Sequence, residues 1–512
     1  MKFANRFLEK FAVCIVAVLS CFDRVIFKGH LPFGDDHHLN LFVDRVLKMK
    51  RKDFLPWLEK HSEQLVEHAR KIAQQFGRPY EYLQGRIKKE KYIQDIIRRD
   101  KLDIGLVAVL CVQETCRTVK LRHGKDRPEL VFAPRPQRVL YYYWLDANYG
   151  LMYWRLQTWF PYTMQVYVNG HDWLARKMSQ WGMGFTQHDN AFVELENPQR
   201  AQQFADQFAG LNWVKQLTAW ARRINPLLKG KNWLAGMNYY WVVEQAEYST
   251  DVLFASRAKL SELYPRLLDH AVVNFSAQDI LTFLGRKLHG NFQGEVLSDL
   301  KKKRCEGARV KHRMKGNWLK MYDKFGLILR VETVINQPRE FSVRRRRERK
   351  GKRQMVWCPM NKGVTNLPSY QRVARAANSR YLNALSVVGD PTGSYQQASH
   401  VAEPKTKDGR RYAGFNPARR DDVNLFQAVL DGNHLVNGFR NAEIRVALCG
   451  DSTDGQTRRR NANRVGRLLK RLHVRGLLAR IPRSRRWRVT ALGEKILGTL
   501  VRLHYHGLSQ AA

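Results

Sequence analysis

Between residues 139 and 168 the chain is dominated by aromatic and β-branched side chains, in the order VLYYYWLD, LMYWRLQTW and MQVYV. The run is interrupted at Asp146–Gly150 and again at Pro161, so it reads as three antiparallel strands. Any fold for this chain must therefore hold a sheet there. Asn169-Gly170-His171-Asp172 then opens a helix expected over 172–182, with Asp172 near its positive end. A hairpin is expected near 184–195. Asn197-Pro198 caps a further helix, with proline in its first turn.

Around this sheet the pattern is mixed. Residues 1–34 read as a helix and a short strand closed by the Leu31-Pro32-Phe33-Gly34 turn. Residues 36–125 read as helical, with Leu58, His61, Leu65, Val66 and Ala69 at helical spacing and a break at Gly77-Arg78-Pro79. Helices are expected on through about 300, broken at Asn225-Pro226 and near Gly230–Gly236. A strand-rich block follows at 307–343, where 311–322 and 327–335 flank an Asp323-Lys324-Phe325-Gly326 turn. The polar, Lys/Arg/Gly/Pro-rich stretch 396–422 has the composition of a linker. The expected fold class is α+β and multidomain. It comprises a helical region at 1–130, an antiparallel-sheet core at 131–395, the linker, and a small helical domain with a hairpin at 423–512.

Charge narrows the partners. Lys and Arg number 89 against 46 Asp and Glu, a formal net charge of +43. A chain this basic repels itself unless it meets a polyanion, and releasing the counterions condensed on phosphates drives such binding. Aromatic content of 11% with 13 Trp separates it from a disordered basic tail. No long basic amphipathic helix points to a membrane surface. Cys14, Cys21, Cys111, Cys116, Cys305, Cys358 and Cys449 are scattered without C-x-x-C spacing, as expected of reduced, mostly buried thiols. Lys2, Arg6 and Lys10 precede an apolar run at 11–21, and Val18-Leu19-Ser20-Cys21 imitates a lipoprotein cleavage site. Glu9 interrupts that basic region, however, and the run is too short to span a bilayer. A cytoplasmic, nucleoid-associated chain is the expectation.

The C-terminal region carries the most specific pattern. Helices are expected at 424–430, 439–448 and 461–474; the last sets Val465, Leu468, Leu469 and Leu472 on one face. Arg459, Arg460, Asn463, Arg467, Lys470 and Arg471 fall on the other face. Gly476 ends the helix where a left-handed cap belongs, and 477–481 and 487–490 form a hairpin whose tip is Pro482-Arg483-Ser484-Arg485-Arg486. Gly476-Leu477, Trp487, Thr490 and Gly493 resemble the bacterial winged-helix regulators. That resemblance implies that the helix at 461–474 enters the major groove, while Arg483, Arg485 and Arg486 touch the backbone or minor groove. The run Arg344, Arg345, Arg346 and Arg347 after the strand block is a candidate phosphate-gripping arm.

Four places invite chemistry. Lys320-x-Tyr322-Asp323-Lys324 followed by Leu329-Arg330-x-Glu332 resembles a segment of rolling-circle replication initiators. The resemblance implies Tyr322 as nucleophile on a DNA phosphate, Glu332 as metal ligand, and Lys320, Lys324 and Arg330 as phosphate clamps. The family's His-hydrophobic-His metal motif is missing. Glu247 and Asp251, read as i, i+4 on one helix face, are a second candidate set for a divalent metal, Mg2+ or Mn2+. The order of strands and helices around Asp146 and Asp189 resembles an RNase H-type nuclease or transposase, without the usual Glu in the first helix. Asp35-Asp36-His37-His38 reads as a solvated loop cluster. Walker A, Rossmann and G-x-S-x-G patterns are all absent, which argues against nucleotide-driven motors and hydride chemistry.

The segments CFDRVIFKGHLPF, QTWFPYTMQVYVNGHDWL and GFRNAEIR resemble a bacterial mobile-element-type protein family. The expectation is a nucleic-acid-binding protein that cleaves or transfers DNA strands at a site read by the winged helix, as a metal-dependent nuclease or strand transferase. The alternative is a non-catalytic regulator, or an RNA-binding protein that stacks bases on Tyr141–Trp144 and Trp154–Trp159. Expected partners are DNA, RNA or a second copy of the chain, and no membrane.

Overall fold

The computed structural model describes residues 5–84, 87–123, 128–273, 275–286, 296–301, 308–349, 352–388, 400–417, 419–434 and 437–506. The chain is α+β, as expected. It divides into two compact units. The sheet unit comprises Ala17–Asp251 and Val334–Arg375; the terminal unit comprises Met1–Val16, Val252–Thr333 and Ala376–Ala512.

In chain order the strands begin with β1 (Ile15–His30), β2 (Tyr80–Tyr82), β3 (Gly105–His123), β4 (Pro128–Asp146), β5 (Gly150–Gln157) and β6 (Met164–Asn169). Next come β7 (Phe185–His188), β8 (Ala191–Leu195), β9 (Tyr240–Phe254), β10 (Val296–Lys301), β11 (Arg309–Met314), β12 (Asn317–Lys324) and β13 (Ile328–Ile335). The remainder are β14 (Ser342–Arg349), β15 (Lys352–Pro359), β16 (Lys405–Lys407), β17 (Arg410–Tyr412), β18 (Leu478–Arg480) and β19 (Trp487–Val489).

The sheet unit orders its strands β9-β1-β6-β5-β4-β3-β2. The three antiparallel strands expected at 139–168 are β4, β5 and β6, with Tyr143 opposite Tyr153 and Tyr153 opposite Tyr167. Because side chains alternate across a strand, these three tyrosines stand in one cross-strand row. Tyr142, Trp154 and Val166, one residue along, are buried on the opposite face. The helix Gly170–Gln180, the β7–β8 hairpin and the helix Pro198–Gln207 follow as expected, the last capped by Asn197.

Two expectations for this unit fail. The region 1–130 is not helical throughout: β1 runs 16 residues and β3 runs 19. Leu106 to Val112 are all buried, so their apolar run covers both faces of a strand and carries no alternation to betray it. The helix Lys89–Asp100 supplies the crossover that parallel β2 and β3 require. Likewise 240–254 is strand β9 and not helix. The apolar run at 11–21 passes through a short helical turn at Ala12–Cys14 into the start of β1, and no helix among the described residues is long and apolar enough to cross a membrane.

In the terminal unit β10-β11-β12-β13 are neighbours in that order. Phe325 (φ 61°) and Gly326 (φ 70°) make a mirror-type turn between β12 and β13, closed by Leu327 N–H donating to the Lys324 carbonyl at 3.1 Å. The C-terminal region has the helix–helix–helix–hairpin–helix order of a winged helix: Arg420–Val429, Asn441–Cys449, Gly455–Val474, β18–β19 and Ala491–His506. Phe439 and Trp487 exchange backbone hydrogen bonds at 2.8 and 2.7 Å, which adds a bridge beside the hairpin. Val465, Leu469 and Leu472 pack with Phe426, Ile444 and Leu497 in one core. The stretch 396–422 is more than a linker: it holds the β16–β17 hairpin, and Val401 and Phe415 are buried in that same core. Its residues 396–399 and 418, and Cys305, lie outside the described residues. The other six cysteines are free thiols, but Cys449 is exposed and Cys14 only half-buried.

Candidate functional site

The basic surface of the winged helix comes from helical period. The helix Gly455–Val474 starts at Asp454, whose carboxylate accepts from the Gln456 and Thr457 amides, and it buries Val465, Leu469 and Leu472 every three to four residues. The opposite face exposes Arg459, Arg460, Asn463, Arg467 and Lys470, with Arg464 at its edge; Arg458, on the side of the buried stripe, is also exposed, and sequence reasoning singled out neither Arg464 nor Arg458. Arg483 and Arg485 are exposed at the hairpin tip. Arg471 and Arg486 depart from the expected face. Arg471 Nε donates to the Ala413 carbonyl at 3.0 Å, another of its nitrogens donates to Gly414, and its guanidinium lies 4.0 Å from the Phe415 ring centre. Burial pulls its pKa down. Arg486 donates to the Gly438 carbonyl at 3.1 Å and pairs with Glu443 at 3.5 Å. Both arginines hold the domain's own chain, because the carbonyls and carboxylate they reach come from other segments.

The arginine run at 344–347 lies on β14, paired with β15 as a separate two-stranded ribbon. Arg344, Arg346 and Arg347 are exposed, and Arg345 is half-buried against the Asn366 side chain. Arg344 is opposite Trp357 and Arg346 opposite Met355, both large exposed side chains, so one ribbon face combines cations with apolar surface.

The β12–β13 hairpin brings three of its five predicted residues together. Strand alternation puts Lys320 and Tyr322 on one face. Lys320 Nζ donates to Glu332 Oε1 at 2.6 Å and Tyr322 Oη donates to Glu332 Oε2 at 2.7 Å. All three are buried, as are Lys324 and Arg330. Glu332 is placed as a base toward the Tyr322 hydroxyl, but the group is closed to solvent, so a DNA phosphate could reach it only after an opening.

The sheet unit assembles a polar centre that sequence reasoning largely missed. Asn169 caps the helix Gly170–Gln180 by accepting from the His171 and Asp172 amides at 2.8 and 3.3 Å. A Cβ on Gly170 would sit 2.2 Å from the Phe22 carbonyl oxygen, so only glycine lets the helix start this close to β1. That approach puts His171, fully buried, with Nδ1 3.2 Å from Asp23 Oδ1 and Nε2 3.8 Å from Asp251 Oδ2. Asn190 Nδ2 donates to Asp23 at 2.7 Å. Carboxylate oxygens of Asp23 and Glu247 lie within 4.8 Å of each other. Glu247 and Asp251 do share a face, but of strand β9, where four residues span roughly 13 Å. They therefore cannot act as the helical i, i+4 pair expected of them.

Beside this centre is a cavity of about 650 Å³ lined by Tyr143, Tyr153, Tyr167, Arg24, Asp172 and Asn190, among others. Burial pushes the Asp172 carboxyl up to about 6; Asp23 adds to this, and His171 and Gln187 oppose it. Burial works against the Arg24 cation, but Glu247, Tyr167 and Asp23 outweigh it and hold its pKa above the usual value.

The remaining expectations resolve simply. Asp146 accepts from the Asn148 and Tyr149 amides in the β4–β5 turn, and Asp189 (φ 52°) follows β7 in a separate two-stranded sheet. The RNase H-type order is therefore not present. Asp35 caps the helix Asp36–Leu41, accepting from the His38 amide at 2.9 Å, so the Asp-Asp-His-His cluster is a helix start. Of the expected stacking segments, Tyr141–Trp144 and Trp154 are buried, with Tyr143 bordering the cavity, and Trp159 is half-buried. One signal for the missed centre was the adjacent charge pair Asp23-Arg24 inside the otherwise apolar IVAVLSCF-DR-VIF stretch of β1. Comparison with protein families, with curated proteins and with solved structures finds no match to this chain.

Proposed function

We propose that this chain is a DNA-binding protein whose C-terminal winged helix reads a duplex site. The observation that carries the reading is the exposed cationic face of the helix Gly455–Val474, backed by the arginines of the adjoining hairpin tip. A helix presenting Arg459, Arg460, Asn463, Arg467 and Lys470 to solvent has the donors that phosphates and purine edges accept. The arginine ribbon of β14 adds a second set of phosphate-binding groups, and the net charge of +43 favours a polyanion throughout. The test is fluorescence anisotropy of the full chain with labelled duplex DNA across a salt series. Affinity should fall steeply with salt, and replacing Arg459, Arg460, Arg467 and Lys470 together by Ala should flatten the dependence by about 3 to 4 in log–log slope. A slope unchanged by these substitutions would remove the winged helix from DNA binding.

A second reading is favoured by the buried Asp23–His171–Asp251 array beside an open cavity. It is that the sheet unit cleaves or transfers DNA strands with Mg2+ or Mn2+, as in a mobile-element protein, with carboxylates such as Asp23 and Glu247 holding the ion. Metal-dependent cleavage of a labelled strand that Asp23→Asn abolishes and Tyr322→Phe leaves intact would support it. Loss with Tyr322→Phe alone would move the chemistry to the β12–β13 hairpin.

A further inference from the structure

We propose that the cavity over the tyrosine row of the sheet unit is a pocket for one unpaired, amino-bearing nucleobase. Its volume, about 650 Å³, falls within the range of about 300–1,000 Å³ usual for small-molecule sites. One wall is aromatic: Tyr153 and Tyr167 stack with rings 5.1 Å apart and 6° from parallel, Tyr143 lies 5.6 Å from Tyr153, and the Arg24 guanidinium is 5.7 Å from the Tyr167 ring. Unlike the neighbouring buried aromatics, Tyr153 and Tyr167 remain partly open and border the cavity. Stacked rings capped by a guanidinium are the surface on which a planar heterocycle gains most, whatever its sequence context.

The polar wall decides which end of a nucleotide enters. Among the described residues, Glu90, Asp172 and Asp189 line the cavity against one cation, Arg24, so a phosphate would meet three carboxyl groups and be disfavoured. A neutral base carrying an exocyclic amine would instead find acceptors. Gln94, Asn169 and Asn190 bring amide groups to the same space. Asp172, with its carboxyl pushed up to about 6, also supplies a protonated population able to donate to a ring nitrogen. Adenine, cytosine and guanine meet these demands, whereas thymine and uracil lack the amine.

Basic residues lie further along the same sheet face. Two residues along the strands from the tyrosine row lies a second row, in which Lys28 pairs with Gln165 and Gln165 with Arg155. A second cavity of about 470 Å³ borders this row, lined by Lys28, His30, Arg117 and Arg155. Arg155 is held by Glu114 at 2.9 Å and Lys28 by Glu244 at 3.4 Å, so the exposed Arg117 is the cation best placed for the backbone of a strand whose base entered the tyrosine pocket.

That the base belongs to a nucleic acid strand rests on the proposed DNA-binding function; the pocket's chemistry does not. The experiment uses the full chain and a single-stranded oligonucleotide carrying one 2-aminopurine, with AMP and a duplex as separate arms. Stacking should quench the 2-aminopurine fluorescence. Tyr167→Leu and, separately, the pocket-filling Leu151→Trp should weaken strand binding on the order of ten-fold, leaving duplex anisotropy unchanged. Oligo-dA should compete better than oligo-dT. Quenching that survives both variants, or equal competition by dT, would overturn the proposal. Tight AMP binding that both variants abolish would support the pocket and make a free nucleotide its ligand. Duplex binding with no strand or AMP binding would overturn the pocket and leave the proposed function standing. Absence of duplex binding, with strand quenching or AMP binding lost in both variants, would overturn the winged-helix reading and support the pocket.

Discussion

Arg467 and Arg471 lie four residues apart on one helix, and sequence periodicity gives them the same role; the structure assigns them different ones. Arg467 is exposed, whereas Arg471 donates two hydrogen bonds to the carbonyls of Ala413 and Gly414 and covers the Phe415 ring. Hydrogen bonds from a charged donor contribute about 1.5–3 kcal/mol when well shielded, and a cation–ring contact about 0.5–1 kcal/mol at an exposed site. Arg471 is only half-buried, so each hydrogen bond is discounted to the low end for an ordinary one, about 0.5–1 kcal/mol. Arg471→Ala should then cost about 2 kcal/mol, a fall in melting temperature of about 4–8 °C for a unit of this size. Because Arg471 is turned to its own chain, the salt dependence of duplex binding should not change. Arg467→Ala should do the reverse: melting within about 1 °C of the parent, as for ordinary surface changes, and a salt slope reduced by about 0.9 if the contact is to phosphate. If Arg467 instead reads a base, the slope stays and discrimination against single-base changes in the site falls by about ten-fold. Differential scanning fluorimetry and anisotropy titrations at four salt concentrations measure both quantities. The reasoning is refuted if Arg471→Ala lowers the slope without lowering the melting temperature, or if Arg467→Ala changes neither slope nor discrimination.

Two further outcomes follow from groups in the terminal unit. His312 is fully buried between the Ser298 hydroxyl (2.8 Å) and the Tyr381 hydroxyl (3.0 Å), and burial pulls its pKa down to about 4. The unfolded chain takes up this proton near pH 6.5 and the folded one does not, so stability should be complete above pH 6.5 and fall by about 3 kcal/mol toward pH 4. Glu494, pushed up to about 8 mainly by burial, acts in the opposite sense, costing stability as pH rises from 4.5 to 8. The difference between the parent and His312→Gln in urea midpoints at pH 7 and 4.5 isolates the histidine; a pH-independent difference would contradict its assignment. Gly438 has φ 63°, and a Cβ there would lie 2.2 Å from the Trp487 carbonyl oxygen, so Gly438→Ala should part the Phe439–Trp487 bridge and cost about 1–3 kcal/mol. Gly432→Ala, where nothing lies within 4 Å, is the control, and equal melting of the two variants would argue against the strain.

What could be read from the sequence divides by the distance over which it is encoded. The winged helix was legible nearly element by element because its signals are local: Val465, Leu469 and Leu472 at helical spacing, Gly476 (φ 75°) at the helix end, and a short hairpin after it. The three strands at 139–168 were legible for the same reason, since each turns directly into the next. β3 was not, because Leu106–Val112 is apolar on both faces and its parallel neighbour β2 lies on the far side of a helix. Val401 and Phe415 look like stray apolar residues in a polar linker until the core they fill is visible. The polar centre of the sheet unit was the least legible. Its residues come from β1, β6, the start of the helix Gly170–Gln180, the β7–β8 turn and β9, segments far apart in the chain. Besides the Asp23-Arg24 pair in β1, its trace in the sequence lies in two glycines. Gly170 admits the helix start against Phe22, and Gly150 (φ 65°) would place a Cβ 2.7 Å from the Asp172 Cβ. Both glycines clear space where helix and sheet meet around Asp172, a carboxylate whose burial already holds its pKa near 6. A backbone that gives up a side chain at Gly170 to seat the helix start on β1, and another at Gly150 to make room for a poorly solvated acid, is built around that junction, and this is why function is sought there as well as on the basic surfaces.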